Sequence, residues 1–425
     1  MSCCTVTSPD LCARAGDPIG SFWRLLDENI QPEEWFEAIR LALGSLSGLP
    51  AAEPPVNAEE VMPAILGESQ FGPDHWYLSR PKRIYYQYIR PILPSSLRVP
   101  LRTLLLSRQH NGSLLRWPIE DRYVRFQFEI VKRLLESKGL DAVPYVQFWP
   151  AGKCFALVLT HDVEGPLGQS FVPQVVALEE AYGFRSSFNF VPEGYKVDLN
   201  LLQDLKERGF EVGVHGLKHD GRLFSSKAIF DKQAGKINQY LKQWGAVGFR
   251  APFTHRNPDW MQALEIEYDL SFFDTDPFEP MPGGTLSIWP FMMGHFVELP
   301  YTLPQDHTLM ITVGETTPRL WLEKVDFIEQ YCGMALVNTH PDYLRQDRHI
   351  AIYESFLSQM KQRRGYWHDL PCNIARWWRQ RGSAIPSRED RKWCIPGLPG
   401  ACIGQVYMTD GPATLSNRPS VELRL

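Results

Sequence analysis

From Phe155 onward the chain alternates short apolar runs with amphipathic ones, and this alternation limits the fold more than any other feature. "FALVLT" precedes "VPQVVALEEAYG", "RSSFNFV" precedes "NLLQDLKERG", and "FEVGVHG" precedes "SSKAIFDKQAGKINQYLKQWG". "AVGFRAP" is followed by "PDWMQALEIE", and then come three strand-like runs, "YDLSFFDTD", "HFVELPYTL" and "TLMITV". "PRLWLEKVDFIEQYCG", "MALVNTH" and "DRHIAIYESFLSQMKQRRG" complete the series as helix, strand and helix. Repeated β-α units of this size predict a parallel sheet with helices packed against it. About seven strands, with no Gly-rich phosphate loop after the first, favour a closed barrel over an open nucleotide-binding sheet. The expected class is α/β, a distorted (β/α)7 TIM-like barrel over residues 151–380.

The flanks differ. Residues 1–150 read as a mainly helical and irregular extension, with helical spacing in "SFWRLLDENIQPEEWFEAIRLALGSL" and "DRYVRFQFEIVKRLLESKG", the latter closed by Gly139. The Pro-rich "GLPAAEPPVNAEEVMPA" reads as a linker, and the basic, aromatic "LSRPKRIYYQYIRPILPSSLRVPLRTLLLSRQ" as a solvated face wrapping the main domain. Residues 381–425, rich in Pro and Gly without periodicity, read as a loosely structured tail. The formal charge of -5 argues against a nucleic-acid partner, which would call for a basic face. No apolar run is long enough for a transmembrane helix, and the start lacks a basic stretch followed by an apolar one, so a cytoplasmic location is expected. The 8 cysteines are scattered without a CxxC pair; Cys154 and Cys332 adjoin strand-like runs and are expected as small buried hydrophobes.

Barrel enzymes carry their chemistry at the C-terminal ends of the strands. Here the first strand ends in Asp162 and Glu164, the third in "VHGLKHDG" with His215 and His219, and the fourth in "FRAPFTHR". The fifth ends in "FFDTDPF" and the last in "VNTHPDY". Any one of these ends alone reads as a turn, a cap or a structural ion pair; their recurrence at five strand ends does not. Residues two apart on an extended backbone project to one side, so Asp162 and Glu164 can share a cavity. His215 and His219 flank a Gly-containing turn that can fold both imidazoles onto one ion. Two histidines, one carboxylate and an open position make a catalytic zinc arrangement, which polarises a carbonyl and activates water. A second carboxylate held off the metal can take the proton.

The order of these motifs resembles the polysaccharide deacetylases, the NodB-homology group also called carbohydrate esterase family 4. "THDVE" looks like their first motif, "HGLKH" their metal motif, "RAPF" their Arg-x-Pro motif and "LVNTH" their last, over roughly Phe155 to Arg379. The resemblance implies a NodB-type barrel and metal-dependent removal of an acetyl group from an N-acetylated sugar, a saccharide or glycan intermediate. By motif, Asp162 would be the base, and Glu164, His215 and His219 would hold a divalent metal, most simply Zn2+. Arg250 would pair with Asp162, the Phe253 N–H would face the developing oxyanion, and His340 would be the acid. Asp274 or Asp276 would orient His340, with Asp276 preferred. Glu164 stands where the motif usually has Asp, and Pro277 and Phe278 follow Asp276 in place of a Trp. His161 is expected to make a hydrogen bond behind the site rather than bind metal. Two alternatives stay open: hydrolysis of a small cyclic amide such as allantoin, and an inactive carbohydrate-binding barrel.

Overall fold

The computed structural model describes residues 20–27, 30–49, 58–71, 113–281, 283–389, 392–409, 411 and 413–416, with positions 84 and 89. The basic, aromatic run expected to wrap the main domain lies outside the described residues, apart from those two positions.

The barrel is built from strands β2 (Phe155–Val163), β3 (Ser187–Phe190), β4 (Glu211–His215), β5 (Gly248–Arg250), β6 (Tyr268–Asp269), β8 (Phe296–Glu298) and β9 (Met334–Thr339), all parallel. They run β9-β2-β3-β4-β5-β6-β8 in space; β7 (Phe291–Met293) adds an antiparallel edge beside β8, and β10 (Tyr366–His368) pairs with the first three residues of β2. The sheet curls until its ends meet. The N–H groups of Thr302 and Leu303, just past β8, both donate to Leu336 O in β9, at 3.1 and 3.0 Å. The result is a distorted seven-stranded parallel barrel, as the β-α alternation predicts. Every residue of β2 is buried, because a strand of a parallel barrel has side chains on one face and helices on the other. Helices α4 (Pro166–Tyr182), α5 (Leu199–Glu207), α6 (Lys227–Trp244), α7 (Arg319–Gln330), α8 (Asp347–Gln362) and α9 (Pro371–Ser383) follow the strands.

One expected strand is not a strand. "TLMITV" lies in a π-helical turn, His307–Val313, whose first N–H is accepted by the Asp306 side chain. Its β-branched residues mimic strand composition, but the preceding carboxylate caps a helical turn and redirects the chain.

The N-terminal extension contains α1 (Pro32–Ala42), α2 (Ala58–Leu66) and α3 (Arg122–Lys138). So a helix occupies the end of the Pro-rich stretch read as a linker, with Pro63 inside it. α3 ends at Gly139, whose φ of 62° is the left-handed conformation a helix stop favours. The extension is stitched to the barrel by Arg381 of α9. Its buried guanidinium donates to Phe22 O, Val146 O and Gln147 O and lies over the Phe148 and Trp378 rings. The C-terminal stretch is more regular than its composition suggests: β11 (Ser387–Glu389) pairs antiparallel with β12 (Lys392–Cys394), and β13 (Ile403–Tyr407) pairs antiparallel with both β1 (Ala142–Val146) and β14 (Thr414–Ser416). Proline and glycine mark the turns there, and the short strands between them are stabilised by pairing that local sequence does not encode. Cys332 is buried and Cys154 half-buried, and none of the five described cysteines forms a disulfide. Among the described residues no helix is long and apolar enough to cross a membrane.

Candidate active site

A cleft opens at the C-terminal ends of the strands, lined by Asp162, Glu164, His215, His219, Arg250, Phe253 and His340 among others. The backbone explains why. Asp162 and Glu164 leave β2 two residues apart and face the same way. His215 is the last residue of β4, and Gly216 then turns the chain with φ 62° so that His219 comes back beside it. A Cβ on Gly216 would lie 2.5 Å from the Pro252 ring, so the turn also needs glycine for the close approach of the Arg250–Thr254 loop.

Glu164, His215 and His219 offer ligand atoms that all lie within 4.8 Å of one another. Glu164 Oε1 is 3.0 Å from His219 Nε2 and 3.9 Å from His215 Nε2. The tautomer of His215 follows from its other nitrogen. Nδ1 meets the carbonyl of Arg250 at 3.1 Å, and a carbonyl only accepts, so Nδ1 carries the hydrogen. Nε2 is the ring atom left to face the cleft, buried and without a hydrogen-bond partner. An unpartnered, buried imidazole nitrogen beside a second imidazole and a carboxylate fits a divalent cation, which would bind the neutral ring. The extra methylene of Glu164 does not keep its carboxylate from the two rings.

Asp162 is held from three sides. Asn338 donates to Oδ2 at 2.8 Å, Asn189 to Oδ1 at 3.1 Å, and Arg250 Nη1 approaches Oδ2 at 3.4 Å. Arg250 also donates to Thr160 Oγ1 at 3.1 Å. Burial works to raise the Asp162 pKa, but Arg250, His215, His340 and the Asn338 amide outweigh it and bring it down to about 2. Burial likewise opposes ionisation of Glu164, and the neighbouring histidines, His219 first, reverse it to a net lowering. Asp162 is therefore a carboxylate at any working pH.

His340 closes the other side, its Nε2 3.6 Å from Glu164 Oε1 and 4.0 Å from Asp162 Oδ2. Its orienting carboxylate is Asp306, not Asp276 or Asp274. Asp306 Oδ1 takes the His340 Nδ1 hydrogen at 2.7 Å, and Oδ2 takes the His340 backbone N–H at 2.7 Å. Burial alone would lower the His340 pKa; Asp306, Glu164 and Asp162 instead raise it to about 10. Asp276 caps the Phe278 N–H at 2.9 Å, and burial together with the Glu279 charge pushes its pKa to about 8. Asp274 is 2.7 Å from Lys324. The fifth strand end thus points its carboxylates away from His340, and the "LPQDH" turn after β8 supplies the missing one. The signal was present, a Pro break followed by Asp and His at a strand end, but reading "TLMITV" as a strand hid it.

His161 is on the opposite face of β2, as alternation requires. Its ring meets Thr339 Oγ1 and Glu179 Oε1, each at 2.7 Å, and Glu179 also accepts from Ser186 at 2.6 Å and Tyr353 at 2.5 Å. This cluster fastens α4 and α8 to the sheet and does not touch the cleft. We predict that Glu179→Ala, which strips three buried groups of their shared acceptor, destabilises the protein by about 3 kcal/mol. A urea midpoint equal to that of the wild type would contradict this.

Composition gave no hint of three further polar groups at the cleft. Glu279 accepts from Thr254 Oγ1 at 2.9 Å and from Gln305 Nε2 at 2.8 Å, and Asn338 reaches Gln305 Oε1 at 3.3 Å. They form a hydrogen-bonded wall from Asp162 to the Phe253–Thr254 turn.

No family model matches the sequence, and no curated protein matches it. Among solved structures the chain is similar to a protein described as a polysaccharide deacetylase from Mycobacterium smegmatis, with 18% identity and a TM-score of 0.44 over 54% of this chain and 92% of that one. It is similar to an allantoinase at 14% identity and a TM-score of 0.43, over 54% of this chain and 92% of that one. A protein described as a polysaccharide deacetylase from Pseudomonas aeruginosa PAO1 gives 14% identity and a TM-score of 0.44, over 55% and 93%. The chain is thus similar in structure to polysaccharide deacetylases and to an allantoinase alike.

Proposed function

We propose that the protein is a metal-dependent hydrolase that removes acetyl groups from N-acetylated sugars, whether a saccharide or a glycan intermediate. The observation that carries this reading is the placement of Asp162 and His340 in one cleft with the Glu164–His215–His219 cluster, His340 Nε2 lying 4.0 Å from Asp162 Oδ2 and 3.6 Å from Glu164 Oε1. A base, an acid and a set of cation ligands in one cleft are what amide hydrolysis needs and what a binding scaffold has no use for. A divalent cation held by Glu164, His215 and His219, most simply Zn2+, would polarise the amide carbonyl and acidify water.

The chain's own residues divide the remaining work. Asp162, fixed by Asn338, Asn189 and Arg250, accepts the proton of the attacking water. The Phe253 N–H faces the oxygen that gains charge as the carbonyl carbon becomes tetrahedral. His340 donates its Nε2 proton to the sugar nitrogen as the C–N bond breaks, while Asp306 holds the ring on Nδ1. Acetate and the free amine are the products. The test is acetate release from N-acetylglucosamine oligomers and from nucleotide-linked N-acetylhexosamines, with allantoin hydrolysed in parallel. Acetate release that is abolished by chelation and restored by Zn2+ is expected. Ureide hydrolysis without acetate release would replace this reading with the cyclic-amide one.

A further inference from the structure

The turn that presents the Phe253 N–H is strained. Phe253 and Thr254 both lie in the left-handed region, with φ of 59° and 53°, and for a β-branched residue such as Thr254 that conformation is a true outlier. Such strain persists only where the surroundings over-determine it. The turn also sets the Phe253 ring 4.2 Å from the ring of His219. A relaxed turn would therefore disturb both the backbone donor and a candidate ligand.

What holds it is traceable residue by residue. Thr254 Oγ1 donates to Glu279, and Thr254 O accepts from Arg256 Nη1 at 2.8 Å. Arg256 is fully buried, and its guanidinium lies over the Phe272 and Phe273 rings at 5.0 and 4.7 Å. Its other nitrogens go to one carboxylate, that of Glu68: Nε to Oε2 at 3.0 Å, and Nη2 to Oε1 and Oε2 at 2.6 and 2.7 Å. Glu68 is not part of the barrel. It follows α2 in the N-terminal extension, fully buried, itself at φ 59°, and its Oε1 also accepts the Gly284 N–H at 2.6 Å. Gln70 adds a bond from Nε2 to Gly284 O at 2.9 Å. Room for the pair exists only because residue 283 is glycine, where a Cβ would fall 1.7 Å from Arg256 Nη2.

We propose that Glu68 is a positioning residue of the active site: by clamping Arg256 it locks the Phe253–Thr254 turn, so that the extension completes the site from outside the barrel. A bidentate, fully desolvated carboxylate–guanidinium pair has a fixed geometry, and the one arginine nitrogen left over is the one that reaches the turn. The kinetic consequence rests on the proposed hydrolase reading; the structural consequence does not.

Removing Glu68 alone would leave a buried guanidinium unpaired, so the informative variant replaces both partners, Glu68→Met with Arg256→Met, as buried ion pairs often tolerate. Expected are a folded protein that still takes up metal at saturating Zn2+ but with weaker affinity, because the Phe253 ring no longer packs against His219, and a kcat lower by about 100-fold, the scale of a misplaced reacting group. Its crystal structure should show Phe253 or Thr254 outside the left-handed region. Arg256→Lys, which keeps the charge but cannot serve both Glu68 and Thr254 O, should lower kcat in the same sense and decides the matter if the double variant does not fold. A folded variant in which both residues keep their positive φ overturns the proposal even if the wild type releases no acetate. Unchanged kcat in an acetate-releasing enzyme overturns it equally.

Discussion

Asp162→Asn should reduce kcat for acetate release by about 10³- to 10⁴-fold while leaving KM and the metal stoichiometry close to wild type. Part of this loss is the missing base. The rest follows from the surroundings, because both oxygens of Asp162 accept: Asn189 donates to one, Asn338 and Arg250 to the other. An asparagine must turn its amide N–H2 toward at least one of these donors. It is isosteric with aspartate and yet faces a buried donor-to-donor contact. The metal ligands are a separate set of atoms, so the variant should bind metal as the parent does. Purified, metal-loaded Asp162→Asn that keeps more than a tenth of wild-type kcat would mean another group is the base.

Asp306→Asn should be nearly as damaging, with a loss in kcat of about 10²- to 10⁴-fold, the scale of a missing proton donor. Its carboxylate takes the His340 Nδ1 hydrogen and the His340 backbone N–H together, so it fixes both the ring and the chain that carries it. It is also the leading favourable charge in raising His340 to about 10 against the burial that would lower it. A histidine whose folded value is raised stays protonated until the pH passes that value. Removing Asp306 therefore moves the alkaline limb of the kcat profile to lower pH. For stability the sign is the same: the Asp306 contribution is complete below the unfolded histidine value near 6.5 and is lost as pH rises through about 10. Asp276→Asn, by contrast, should leave that limb where it is. A profile that shifts for Asp276→Asn and not for Asp306→Asn would contradict the assignment.

These two residues show where sequence reasoning reaches and where it stops. The barrel and the residues at strand ends were legible because strand and helix periodicities are local, and a polar end on an apolar run is conspicuous. Asp162, Glu164, His215, His219, Arg250 and His340 stand out at such ends, Phe253 follows from the family resemblance, and all seven line one cleft, which Asp274 and Asp276 do not. Asp306 was missed because its turn follows a strand and precedes β-branched residues that resemble another strand; only the folded chain shows the Asp capping a π-helical turn beside His340. Asn338 follows the apolar run of β9 and precedes Thr339, a polar strand end like any other, and nothing local shows it reaching Asp162. The pair Glu68–Arg256 spans |i−j| of 188, and nothing in either local sequence announces the other. Long-range pairing equally explains β13 and β14, whose short segments look irregular until β1 is beside them.

The most direct measurement is a titration of chelator-stripped protein with Zn2+, following bound metal and acetate release in the same samples for wild type and His215→Ala. The account predicts one ion per chain, acetate release from an N-acetylated sugar that rises in step with occupancy, and loss of both in His215→Ala, which removes the buried Nε2 that has no hydrogen-bond partner. Metal-free protein that releases acetate at the wild-type rate, or fully loaded protein that releases none from any N-acetylated sugar, would contradict it.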